Sequence, residues 1–297
     1  MRAIQGVLPV FQTPYHDDES IDFDTLAKEI AWLFAQGADG IVMAMVSETL
    51  RLSADERMAL AKAATEAAKG QGVSIISVGA ESSKVAEAYA RHAESIGADA
   101  VMAIPPISVA AGEDELRRYY ERILNAIAIP VIVQDASGYV GRPMSIAMQA
   151  ELFNTWGERI LFKPEASPIG PRLSALLEAT AGKAPIFEGS GGIALVDSYQ
   201  RGVVGTMPGA EVIDALVALW RALKADDRAA IDRISLPLIA LVSLQTSLDS
   251  FLAVEKHILR RRGIFKNTLV RGPVGYTLDE HTRREVDRLL DLLLAAI

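Results

Sequence analysis

The stretch Gly37-Ala38-Asp39-Gly40-Ile41-Val42-Met43 recurs as Gly97-Ala98-Asp99-Ala100-Val101-Met102-Ala103, with a looser third copy at Gly202-Val203-Val204-Gly205-Thr206-Met207. Each copy reads as a helix end, a turn and the start of an apolar strand. Outward from these, short apolar runs alternate with segments of helical period. The runs fall near 4–11, 40–45, 73–78, 100–104, 130–134, 160–163, 185–188 and 203–207, which predicts eight strands. Between them, residues 23–35, 55–68, 85–95 and 116–126 predict helices. Continuous apolar strands belong to a parallel sheet covered on both faces, and eight such beta-alpha units close into a barrel. The expected fold class is therefore α/β, a (β/α)8 TIM barrel over 1–225. Residues 226–297 read as about three additional C-terminal helices, packed on the barrel or a neighbouring subunit as part of the same unit. Ser53 with Glu56, and Thr277 with Glu280, have the spacing of capping boxes.

Of 297 residues half are hydrophobic, and the net charge is -8, which suits a domain with a large core and no affinity for nucleic acid. The densest cationic run, Arg260-Arg261-Arg262, reads as a helix C-terminus. With no cysteine, disulfides, thiolate metal sites and a cysteine nucleophile are excluded. The start of the chain is too short and Pro-broken for a signal sequence. The longest apolar stretch, Leu236 to Val254, carries Gln245 and Asp249 and reads as buried helices, so the expectation is a cytoplasmic protein with no membrane partner.

In such a barrel reacting groups sit at the C-terminal strand ends. Strand two ends in Ser47-Glu48, strand five in Gln134-Asp135, strand six in Lys163-Pro164-Glu165, strand seven in Glu188-Gly189-Ser190-Gly191-Gly192, and strand eight in Met207-Pro208-Gly209. Lys163 stands out because it alone among the lysines closes a strand-like apolar run, whereas Lys256 and the others fall in polar, helix-like or turn-like surroundings. An unperturbed ammonium titrates near ~10.4, and desolvation to about 7–8 would free an amine able to attack a carbonyl. The plainer reading is a salt bridge to Glu165, Glu188 or Glu48. Asp135 or Glu165 is the expected proton carrier, since a desolvated carboxylate exchanges protons and the Gln134 amide only orients. Ser47 is a candidate carboxylate ligand, with Glu48 organising its loop; Gly189 and Ser190 offer amides to an anion, beside Met207. His16, His92, His257 and His281 are far apart, and a magnesium site from Glu48, Asp135, Glu165 and Glu188 has nothing in its spacing to specify it.

Taken together, Gly6 to Pro14, Glu48 with Leu52 and Glu56, the Lys163 strand and Gly202 to Met207 resemble the dihydrodipicolinate synthase and N-acetylneuraminate lyase family along essentially the whole chain. The resemblance implies an imine between Lys163 and the C2 carbonyl of pyruvate or a related 2-keto acid, no metal or organic cofactor, and a homotetramer. The chain departs from the family's aldol enzymes at three places: Met45-Val46-Ser47 replaces a threonine-rich turn, Gln134 the tyrosine at the end of strand five, and Ile107 the tyrosine lent by a neighbouring subunit. Ser47-Glu48, Val101 to Pro106, Val133 to Ala136 and Glu188-Gly189 are similar to the family's L-2-keto-3-deoxyarabonate dehydratases. That implies a hydro-lyase acting on a 2-keto-3-deoxy sugar acid. The alternatives are a pyruvate-dependent aldolase or synthase using the same imine, and a noncatalytic barrel that binds a 2-keto acid.

Overall fold

A computed structural model describes residues 3–138 and 141–297. Eight strands appear where the apolar runs placed them: β1 (Gly6–Val7), β2 (Gly40–Val42), β3 (Val73–Ser77), β4 (Ala100–Ala103), β5 (Val131–Asp135), β6 (Ile160–Pro164), β7 (Phe187–Glu188) and β8 (Gly205–Thr206). All pair in parallel, β2 to β6 in sequence and β7, β8 and β1 in a second arc. Single bridges Val10–Val42 and Phe162–Ile186 join the arcs into a closed ring. Outside lie α1 (Phe23–Ala35), α2 (Ala54–Ala68), α3 (Ser83–Ser95), α4 (Glu113–Ala126), α5 (Ile146–Trp156), α6 (Ile169–Ala179), α7 (Leu195–Arg201) and α8 (Ile213–Lys224).

The repeat has a mechanical meaning. Gly37, Gly97 and Gly202 hold positive φ of 98°, 85° and 99° where each helix turns into its strand, a conformation that side chains with a Cβ resist. Asp39 then accepts the Val7 amide at 2.8 Å, and Asp99 accepts the Ser74 amide at 2.8 Å. Each aspartate thus ties the foot of its strand to the strand before it.

Beyond the barrel are three helices, α9 (Arg228–Val242), α10 (Leu248–Arg261) and α11 (Glu280–Leu294). Of these, α9 packs on α8 and α11, while α10 crosses the barrel mouth near residues 45–47. None of the described helices is long and apolar enough to cross a membrane. Ser53 and Glu56 form the expected capping box, with amide bonds of 3.2 and 2.9 Å. Thr277 does not cap α11. Asp279 does, because its carboxylate takes the His281 and Thr282 amides at 2.8 and 2.9 Å, two donors that a hydroxyl three residues from Glu280 would reach less well.

Candidate active site

Side chains alternate across a strand, and in a closed barrel one parity faces the interior. That parity is read from the inner core: Leu8 and Val10, Val42 and Ala44, Val73 and Ile75, Ala100 and Met102, then Ile132, Leu161, Phe187 and Met207. Two residues further along the last four strands come Gln134, Lys163, Gly189 and Gly209, and another two beyond Lys163 comes Glu165. These five line one cleft at the barrel mouth. Val10, Ala44 and Met207 form its floor, Met45 and Val46 one side, and Leu248, Phe251 and Glu255 of α10 its cover.

Gln134 and Lys163 are directly paired across β5 and β6, so their side chains leave the sheet together. Glu165 closes the set: its Oε1 accepts from Lys163 Nζ at 2.9 Å, and its Oε2 accepts from Gln134 Nε2 at 2.7 Å. All three are at most 5% exposed. Burial pushes the Glu165 carboxyl above the usual carboxylate range, against the pull of the Lys163 ammonium and the Gln134 amide. The acid is consequently a better proton acceptor than a free carboxylate, and it sits where the lysine's proton would go. Gly189 makes room for the pair, since a Cβ there would lie 3.0 Å from Lys163 Cε and 2.9 Å from Glu165 Cγ.

The opposite parity removes other candidates. Asp135 faces outward, where its carboxylate accepts the amides of Ser137 and Met144 at 3.1 and 3.0 Å and lies 3.6 Å from Arg172. It anchors the loop into α5, so that of the two expected proton carriers only Glu165 lines the cleft. Glu188 also turns outward, accepting from Thr206 Oγ1 at 2.7 Å and from the amide and hydroxyl of Ser190. Ser190 therefore serves the turn into α7, its hydroxyl also taking the Ala194 amide at 2.9 Å, while Gly189 and Gly191 reach the cleft. The Ser47 hydroxyl is committed to the backbone as well, donating to Phe11 O at 2.5 Å and accepting the Ala44 amide at 3.2 Å. Glu48 leaves the cleft and pairs with Lys256 and the Arg271 amide. The four carboxylates of the magnesium grouping thus point in different directions, and no metal-binding group of three is found among the described residues.

On α10 the structure adds buried Glu255, which the sequence reading passed over, and corrects Lys256, which it placed in polar surroundings. Lys256 is fully buried, paired with Glu48, donating to Leu269 O at 2.7 Å and lying 4.6 Å from the Tyr15 ring centroid. Glu255 lines the cleft, with Gln12 donating to its Oε2. A signal existed: positions 255 and 256 fall at helical spacing between Phe251, Leu252, Ile258 and Leu259, inside the apolar face of α10.

The residues 3–293 match the model of the dihydrodipicolinate synthetase family. L-2-keto-3-deoxyarabonate dehydratase of Azospirillum brasilense is 28% identical over 302 residues, covering 98% of this chain and 96% of that protein. The crystal structure of dihydrodipicolinate synthase from Rhodopseudomonas palustris superposes with a TM-score of 0.89 at 26% identity, over 98% of each chain. A prophage protein from E. coli K12 in complex with pyruvate, described as belonging to the dihydrodipicolinic acid synthase family, superposes with a TM-score of 0.90 at 22% identity, over 99% of each chain. Barrel and whole-chain match agree: the chain belongs to the dihydrodipicolinate synthetase family of lyases.

Proposed function

We propose that this chain is a dehydratase of a 2-keto-3-deoxy sugar acid, working through an imine on Lys163. The observation that carries the reading is the buried Lys163–Glu165–Gln134 chain of hydrogen bonds lining a cleft that no described tyrosine lines. Glu165 takes the ammonium proton, and the neutral amine adds to the C2 ketone. Glu165 returns that proton to the departing C2 oxygen, and the loss of water gives an iminium, which acidifies C3. Glu165 is then placed to remove a C3 proton, and Gln134 to orient the C4 hydroxyl without itself ionising. The substrate carboxylate fits the side formed by Met45 and Val46, whose amides open a short 3-10 turn and find no acceptor within it. Replacement of the aldol enzymes' tyrosines by Gln134 and Ile107 favours elimination over carbon-carbon chemistry, as does the likeness to the Azospirillum dehydratase.

Borohydride with pyruvate or 2-keto-3-deoxy-L-arabonate, followed by mass measurement, tests the reading. Wild-type protein is expected to gain one reduced adduct, mapped to Lys163 and lost in Lys163→Ala, and to release water from the sugar acid. Release of pyruvate from that substrate would reassign the chain to retro-aldol cleavage. Binding without any adduct would reduce it to a 2-keto-acid receptor.

A further inference from the structure

Across the cleft from Lys163, Gly209 leaves no space for a Cβ unless two glutamate side chains move. A Cβ there would lie 2.4 Å from Glu255 Oε1 and 2.4 Å from Glu211 Oε2. The two carboxyl oxygens therefore converge on one point and are separated by no more than twice that distance. Both residues are at most 2% exposed. Glu255 Oε2 accepts from the Gln12 side chain, but among the described residues no donor is directed at its Oε1, and Glu211 Oε2 is likewise without a partner. Glu255 lines the cleft, and Glu211 stands behind it.

The geometry points to Glu255 as the catalytic acid that protonates the departing C4 hydroxyl, with Glu211 as the positioning residue that keeps it protonated. This rests on the dehydratase reading of the Lys163 cleft. The groups that face the pair disfavour its full ionisation. From α1 comes Glu29, whose Oε1 accepts the Gln12 amide at 2.9 Å; from the segment after β8 comes Glu211; from α10 itself comes Lys256, already bound to Glu48; from β6 comes Lys163, already bound to Glu165. Arg262 and Asp214, which flank Glu211, are engaged with each other at 3.0 Å. Buried carboxyls this close cannot all ionise, so they hold protons in common. Consistently, burial and the neighbouring acids push Glu255 well above the usual range, while burial brings Glu211 up to about 7.

In the proposed step Glu165 removes the C3 proton, and the C–H electron pair becomes the C2=C3 bond of the enamine. The nitrogen lone pair then re-forms C2=N, the C2=C3 pair moves to C3=C4, and the C4–O bond breaks. Glu255 passes its proton to the leaving oxygen. Water departs, and the Glu255 carboxylate that remains takes a proton from solvent entering the cleft before the next turnover.

The test compares loss of water from 2-keto-3-deoxy-L-arabonate with loss of chloride from 4-chloro-2-oxobutanoate, since chloride departs without an acid. In Glu255→Gln the ratio of chloride release to water release is expected to rise by about 100-fold or more over wild type, the usual worth of a general acid. In Glu211→Gln, where only the more weakly acting Glu29 still opposes ionisation of Glu255, the alkaline limb of kcat for water loss is expected to move to lower pH. Equal loss of both reactions in Glu255→Gln, or no change in either, overturns the assignment, as does an unmoved alkaline limb in Glu211→Gln. If wild type forms no borohydride adduct, the imine reading itself fails. If it forms the adduct yet loses no water, only dehydration and this acid fall.

Discussion

Lys163 and Lys256 are both buried lysines beside a glutamate, and replacing Lys256 by Met separates the chemistry of one from the architecture of the other. The Lys256 ammonium and Glu48 carboxylate have no solvent exposure, whereas the Lys163 pair opens on a cleft. Lys256→Met leaves Glu48 with the Arg271 amide, at 3.2 Å, as its remaining described hydrogen-bond donor. It also strips the Leu269 carbonyl of a donor at 2.7 Å and removes the cation from the Tyr15 face. Breaking a buried pair by deleting one member costs about 3–5 kcal/mol, most of it the uncompensated partner. At roughly 2.1 cal/mol/K of unfolding entropy per residue, that loss lowers Tm by about 5–8 °C for a chain of this length. Adding Glu48→Gln removes the stranded charge and should recover about 2 kcal/mol, which measures the coupling directly. The assay is urea or thermal unfolding of the two single variants and the double, beside borohydride trapping with pyruvate. Lys256→Met should still trap pyruvate wherever it remains folded, whereas Lys163→Met should not, though it costs little stability because Glu165 can hold a proton. A loss below about 1 kcal/mol in Lys256→Met, or a double variant no more stable than the single, would refute this account of the pair.

Three further outcomes follow from the same geometry. Gly189→Ala would press on Lys163 Cε and Glu165 Cγ, and the resulting shift of the amine should lower kcat/KM by about tenfold; unchanged kinetics would mean that the lysine stem is not confined there. Burial pushes Glu29 up to about 8 from an ordinary 4.5, so the folded protein keeps a proton that the unfolded chain has released. Stability should accordingly be greatest below pH 4.5 as far as this group is concerned and decline towards pH 8, by at most about 1.4 kcal/mol per pH unit. Glu29→Gln should flatten that slope between pH 5 and 8 in urea titrations; an equal slope in both proteins would argue against a buried neutral acid. Asp135→Asn should cost about 1–2 kcal/mol through its loop contacts and leave the pyruvate adduct intact, whereas loss of the adduct would return Asp135 to the chemistry.

The barrel was legible because its signal is local and repeated: glycine turn, aspartate latch and apolar strand recur, and each is set by residues adjacent in sequence. Lys163 was legible for the same reason, as a charge at the end of an apolar run. The difference between Gln134 and Asp135, or between Gly189 and Glu188, was also present in the parity of each strand, since Ile132, Leu161 and Phe187 mark the inner face. Strand ends treated as whole segments hid that alternation, which is why Asp135 entered the candidate set. Ser47 and Thr277 show a different limit. A hydroxyl at a strand end or a helix start has several acceptors within reach, and only the path of the chain selected Phe11 O for the one and left the cap of α11 to Asp279.

By itself the sequence determined the eightfold alternation, the place of Lys163 at a strand end and the absence of thiol chemistry, all of which depend on residue type and short-range spacing. The tertiary structure alone decided what faces that lysine. Glu165 becomes its partner through strand parity, but Glu255 and Lys256 reach the barrel mouth only because α10, more than eighty residues downstream of Lys163, folds back across it. Whether a charged residue in an apolar helical face meets solvent, a counter-ion or a second acid is set by which surface that face covers. That surface is assembled from strands and loops remote in the chain, and no local pattern encodes it.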